Sequence, residues 1–78
     1  MDKKVKIYST PACPWCLRVK DFLRENNIVF EEADVASDQA AAQEMIQKSG
    51  QMGVPVVDID GEIIVGFDKE RIKSKLGL

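Results

Sequence analysis

Histidine is missing from this chain of 78 residues, cysteine occurs twice, and tryptophan and tyrosine once each. A structural zinc site takes four ligands, so two thiols without histidine complete one only if two chains share the metal. Basic charge is not in excess either. The net charge is −2, whereas a domain that binds nucleic acid carries a basic face, so nucleic acid is excluded as a partner. The same small value gives no strongly acidic partner surface. No apolar run approaches the length of a membrane span, so no membrane partner is expected. Lys3, Lys4 and Lys6 near the start could open a signal peptide, but no apolar segment of the needed length follows them. The expected compartment is therefore cytoplasmic, where thiols are kept reduced and form disulfides only transiently. Repeats, linkers and low-complexity stretches are also absent, which leaves a single domain over residues 1–78.

What is present is an apolar fraction of 45% beside 31% charged residues, enough of the first to build a globular core. A core this small gains from a covalent staple. Cys13 and Cys16 cannot supply it, because a bond between them closes almost no loop. A disulfide between these two sulfurs is there for chemistry.

Lys4-Val5-Lys6-Ile7-Tyr8 alternates polar and apolar residues and reads as a first strand. Ser9-Thr10-Pro11-Ala12 is loop, since Pro11 cannot extend a central strand. A helix is expected from about Cys13 to Asn26, with Pro14 in its first turn, where a missing N–H loses nothing. Cys16, Val19, Phe22 and Leu23 fall on its inner face, and Arg18, Lys20, Asp21, Arg24 and Glu25 cover much of the rest. Ile28-Val29-Phe30-Glu31-Glu32 reads as a second strand running on towards Val35. Ser37 is expected to cap a helix over residues 38–48, with Met45 and Ile46 inward and Ser49-Gly50 as its stop.

Residues 54–59 and 62–65 flank Asp60-Gly61, a tight-hairpin pair, and read as the third and fourth strands. Gly66-Phe67 turns the chain. Asp68 then caps a last helix through Leu76, in which Ile72 and Leu76 face the core and Lys69, Arg71, Lys73 and Lys75 face solvent. The order β-α-β-α-β-β-α requires a parallel first pair with a right-handed crossover and an antiparallel closing hairpin. The fold class is α/β, a four-stranded mixed sheet with three helices on its faces.

Within this frame Cys13-Pro14-Trp15-Cys16 is a C-x-x-C that follows a strand and opens a helix, the layout of a redox dithiol. Only the thiolate attacks a disulfide, and a free cysteine is mostly protonated at neutral pH. A sulfur at a helix start meets unpaired N–H groups and the positive end of the macrodipole, which favour its ionised form. Cys16 lies one turn further in, more buried, and can reach back. Cys13 is thus the attacking catalytic residue and Cys16 the resolving one, ending in a Cys13–Cys16 disulfide. Pro14 stiffens the turn, and Trp15 reads as an exposed aromatic for substrate contact.

These residues resemble the glutaredoxins of the thioredoxin-like superfamily. The anchors are Ile7-Tyr8-Ser9-Thr10-Pro11-Ala12-Cys13-Pro14-Trp15-Cys16, then Gly53-Val54-Pro55-Val56-Val57, then Gly66-Phe67-Asp68. The resemblance implies a thioredoxin-like fold, thiol–disulfide oxidoreductase activity, no bound cofactor and no metal. It implies a cis peptide at Val54-Pro55 beside the dithiol, against which a peptide or glutathione pairs like an added strand. Thr10, Pro14, Trp15, Gly53, Val54, Pro55, Gly66, Phe67 and Asp68 are then the candidate substrate-binding residues. Gly53 and Gly66 stand either as close-approach points or as plain turn glycines.

Three departures bear on the electron donor. Glutathione-using glutaredoxins commonly carry a basic residue where this chain has Thr10, and a threonine where it has Gly53. Their two glycines and small polar residue are replaced by Gly66-Phe67-Asp68, closer to the glutaredoxin-like redoxins reduced by thioredoxin reductase. The expected partners are a disulfide-containing protein and either thioredoxin reductase or glutathione as donor, with the chain a monomer. The alternative is a carrier, not an enzyme, in which the same cysteines hold a metal or iron–sulfur cluster between two chains.

Overall fold

The computed structural model describes residues 4–78, so Lys3 of the basic start lies outside them. Strands β1 (Val5–Ser9), β2 (Glu31–Asp34), β3 (Val56–Ile59) and β4 (Glu62–Val65) form one sheet in the order β2-β1-β3-β4. β1 is parallel to β2 and antiparallel to β3, and β3 and β4 make the antiparallel hairpin. Helices α1 (Pro14–Glu25), α2 (Gln39–Ser49) and α3 (Lys69–Leu76) complete the expected thioredoxin-like order. No helix among the described residues is long and apolar enough to cross a membrane.

The period-two alternation of the strands sorts side chains between two cores. Val5 and Ile7 of β1, Val57 and Ile59 of β3 and Ile64 of β4 meet Val19, Phe22 and Leu23 of α1 and Ile72 of α3 on one face. Tyr8, Val56 and Met45 of α2 meet on the other, with Val35, Val54 and Ile63 packed beside them. At the hairpin, Asp60 and Gly61 both take positive φ, 53° and 91°, as a twisted two-residue turn requires.

Five expectations shift. The second strand is Glu31–Asp34, not residues 28–32. Ile28 and Phe30 are spent sealing the larger core, and Val29 is exposed, so this stretch is a connection. The third strand starts at Val56, two residues later than expected, because Pro55 has no N–H to give a ladder. Helix α2 is capped by Asp38, whose side chain accepts the Ala41 N–H, and not by Ser37. Ile46 turns outward while Met45, its neighbour, is buried. In α3, Lys75 bonds Glu62 at 3.1 Å and the Lys69 ammonium lies 5.4 Å from the centre of the Phe22 ring, so these lysines are not simply solvated.

A polar network closes α2 onto the sheet. The Tyr8 hydroxyl, fully buried, donates to Glu44 at 2.5 Å. The Lys48 ammonium reaches the Tyr8 hydroxyl at 3.0 Å, Asp58 at 2.7 Å and Glu44 at 3.0 Å. Burial and then the bond to Glu44 raise the Tyr8 pKa. Hydrogen bonds from Tyr8 and then Lys48 pull Glu44 down to about 2. A depressed carboxylate stabilises the fold above its unfolded pKa and loses that contribution as pH falls through its folded one. Glu44→Gln is therefore expected to lower urea stability at pH 7 and to cost progressively less as pH falls from about 4.5 to about 2. An equal loss at both ends of that range would show that the carboxylate charge is not what holds α2.

Candidate active site

Chain direction builds the site. β1 ends at Ser9, the 10–12 loop turns the backbone, and the Cys13 N–H donates to the Thr10 carbonyl at 3.3 Å. Cys13 is itself the N-cap of α1, in extended conformation (φ −91°, ψ 112°), with Pro14 as the first helical residue. Its sulfur takes the place of a capping oxygen and accepts the Cys16 N–H at 3.3 Å. The helix thus does to this sulfur what it does to any anion at its N-terminus.

From the other side comes the loop before β3. The Val54-Pro55 peptide is cis, as the resemblance implied. The Val54 carbonyl lies 4.0 Å from the Cys13 sulfur. Both cysteines are free thiols; Cys13 is half-buried and Cys16 fully buried. Burial pushes the Cys13 pKa up, but the bonds from the Cys16 thiol and the Cys16 and Trp15 backbone, with Lys20 adding its charge, outweigh it and leave the pKa lowered. For Cys16, burial and then the bond to Cys13 push it up to about 11, against a backbone bond from Thr10 and the Lys20 charge. Cys13 is the accessible, more acidic sulfur and Cys16 the protonated reserve.

Trp15 is 54% exposed. Its ring stands 6.5 Å from that of Phe67, which stands 6.0 Å from the core ring of Phe22, and the Arg18 guanidinium lies 4.8 Å over the Trp15 face. The aromatics link the rim of the site to the core, with Trp15 beside Phe67 and Phe67 beside Phe22. Asp68 caps α3 by accepting the Arg71 N–H at 3.2 Å. Gly66 takes φ 78°, a backbone conformation its turn requires and glycine adopts freely, and an added Cβ there would meet no other part of the chain. An added Cβ at exposed Gly53 would meet only the flexible Gln51 side chain, which already bonds the Gly53 carbonyl at 3.0 Å. Thr10, Val54 and Pro55 adjoin the dithiol, and Gly53 precedes them.

Lys20 was placed on the solvent side of the helix, and the structure corrects this. Its side chain is 12% exposed and its ammonium pairs with Glu32 of β2 at 2.6 Å. The signal was the spacing: Lys20 is four residues after Cys16, hence on the same helix face. Among the described residues no group of three or more His, Cys, Asp or Glu side chains stands together as a metal site.

An accessible thiol capping a helix, a buried thiol one turn behind it and a cis-proline loop opposite define a thioredoxin-fold thiol–disulfide oxidoreductase. The glutaredoxin family model matches residues 5–64. A glutaredoxin-like 8.6 kDa protein in a rubredoxin operon of Clostridium pasteurianum is 53% identical over 68 residues, 87% of this chain and 91% of that one. Glutaredoxin 3 of Escherichia coli is 38% identical over 64 residues, 82% of this chain and 77% of its own. The crystal structure of the thioredoxin-like protein BC3987 superposes with a TM-score of 0.88 at 40% identity, covering 94% of this chain and all of that one. The chain belongs to the glutaredoxin family, and thiol–disulfide exchange is its chemistry.

Proposed function

We propose that this glutaredoxin-family protein reduces protein disulfides as a cytoplasmic monomer without a cofactor, and that thioredoxin reductase in preference to glutathione restores its dithiol. In the forward reaction the Cys13 thiolate attacks one sulfur of the substrate disulfide, forming a mixed disulfide and releasing the other sulfur as a thiolate. Cys16 then loses its proton, attacks the Cys13 sulfur and expels the second substrate thiol. Two electrons pass from the dithiol to the substrate, and the product is the Cys13–Cys16 disulfide.

The observation that carries the choice of donor is the rim of the site. Position 10 holds an uncharged threonine, and Trp15 beside the dithiol is exposed, with the neighbouring Arg18 guanidinium stacked on its ring. A glutathione carboxylate finds no cation at Thr10, which costs about 1–3 kcal/mol if that bond is charge-assisted, roughly a five- to hundredfold loss in affinity. A protein substrate spreads its contacts over Trp15 and the Val54 backbone and does not need that charge.

The test oxidises the protein and follows NADPH consumption, once with thioredoxin reductase and once with glutathione and glutathione reductase. Reduction through the flavoenzyme alone is expected to be at least about tenfold faster, and Thr10→Lys should raise the glutathione rate. Faster reduction by glutathione in the unaltered protein would overturn the reading.

A further inference from the structure

Lys20 is a basic residue that the chemistry described so far leaves without a part. It sits in the second turn of α1 behind the dithiol, four residues after Cys16. Side chains on a helix tilt towards its N-terminus, so the long Lys20 stem points back along the face that carries Cys16. The β1–β2 register pairs Glu32 with Ile7, whose side chain belongs to the core under α1 and α3. Glu32 therefore projects from the edge strand towards α1, and there it holds the Lys20 ammonium at 2.6 Å.

The other charged groups around the dithiol are committed elsewhere. The 10–12 and 51–55 loops carry no charged side chain. Arg18 stacks on Trp15, Lys69 lies over Phe22 and Asp68 caps α3. Glu32 faces the site from β2 only through its bond to Lys20.

We propose that Lys20, clamped by Glu32, is a positioning residue that keeps a fixed positive charge behind the dithiol and favours each cysteine in turn as a thiolate. In the resting dithiol its charge acts on Cys13, and its pull is downward on both sulfurs. Once Cys13 is tied up in a mixed disulfide, its charge no longer acts on Cys16, but burial, the largest cause, still holds the Cys16 pKa up. The attack by Cys16 needs its thiolate, and a cation one helical turn away lowers the barrier to forming it. One residue thus serves both half-reactions, and the tether keeps the ammonium from being drawn off into solvent.

This rests on the dithiol chemistry alone, so the tests use neither a protein disulfide nor a reductase. First, iodoacetamide alkylation of the reduced protein is followed against pH; Cys16 is buried and the fast phase reports Cys13. Second, Cys13 is converted to its mixed disulfide with thionitrobenzoate, and release of the coloured thiol reports attack by Cys16. Lys20→Met should move the alkylation midpoint to higher pH and slow both reactions at pH 7 by about two- to tenfold, the effect of one partly screened charge. Lys20→Arg should restore both. Circular dichroism confirms the fold, and Lys20→Gln repeats the measurement if Lys20→Met does not fold. A folded Met or Gln variant with the unaltered midpoint and release rate would overturn the proposal. So would an Arg variant as impaired as the Met variant, since charge would then not be the agent.

Discussion

Cys13→Ser is expected to lose disulfide reduction by about a thousandfold or more, because a hydroxyl at the same N-cap is not ionised at neutral pH and is a far poorer nucleophile. The fold should survive, since serine is among the best N-cap residues and can accept the Cys16 N–H as the sulfur does. Cys16→Ser is expected to fail differently. Cys13 keeps the backbone bond from position 16, so the first attack proceeds, and the reaction stops at the mixed disulfide for want of a second sulfur. Steady-state turnover separates the first variant from the unaltered protein, and intact mass after substrate addition separates the two variants. A Cys13→Ser protein that turns over normally, or a Cys16→Ser protein that never accumulates an adduct, would reverse or remove the assigned roles.

The placement of the two sulfurs was legible because it rests on local rules. A C-x-x-C after a strand, with proline at the first helical position, fixes which sulfur caps the helix and which lies a turn inside. The same holds for the hairpin at Asp60-Gly61 and the caps at Asp68 and Gly50, which follow from one or two residues each. What the sequence concealed depends on contacts between distant residues. Tyr8 and Lys48 are separated by 40 positions, and nothing local marks them as halves of one network. Glu31–Asp34 carries no apolar alternation, because an edge strand with one neighbour buries little, whereas Ile28 and Phe30 look like a strand and instead seal the core. Lys20 resembles any charged residue on an amphipathic helix until β2 brings Glu32 against it. The cis bond at Val54-Pro55 came from the family resemblance, since composition alone favours the trans form at a strand start.

The largest expected effect on stability comes from Leu23→Ala. Leu23 is fully buried at the centre of the larger core, and its carbonyl receives the Ile28 N–H at 2.9 Å where the chain leaves α1. Truncating such a leucine costs about 2–5 kcal/mol. A domain of this size has about 4–12 kcal/mol in all, so a large share is lost. Ile46→Ala, at the position expected inside and found outside, should change stability by less than about 0.5 kcal/mol. Urea unfolding tests both. Cys16 offers a second readout in the Cys13→Ser background, where it is the one remaining thiol and is buried on the inner face of α1. It is alkylated only when the structure opens, so Leu23→Ala should speed its labelling by roughly thirtyfold to a few thousandfold. If labelling and urea stability change in proportion, Cys16 is reached by global unfolding alone, and the resolving thiol is as protected as the core. If labelling changes much less, α1 lifts from the sheet by itself, and a motion that exposes the resolving thiol is cheaper than unfolding. If neither changes, the packing of Leu23 does not hold α1 in place.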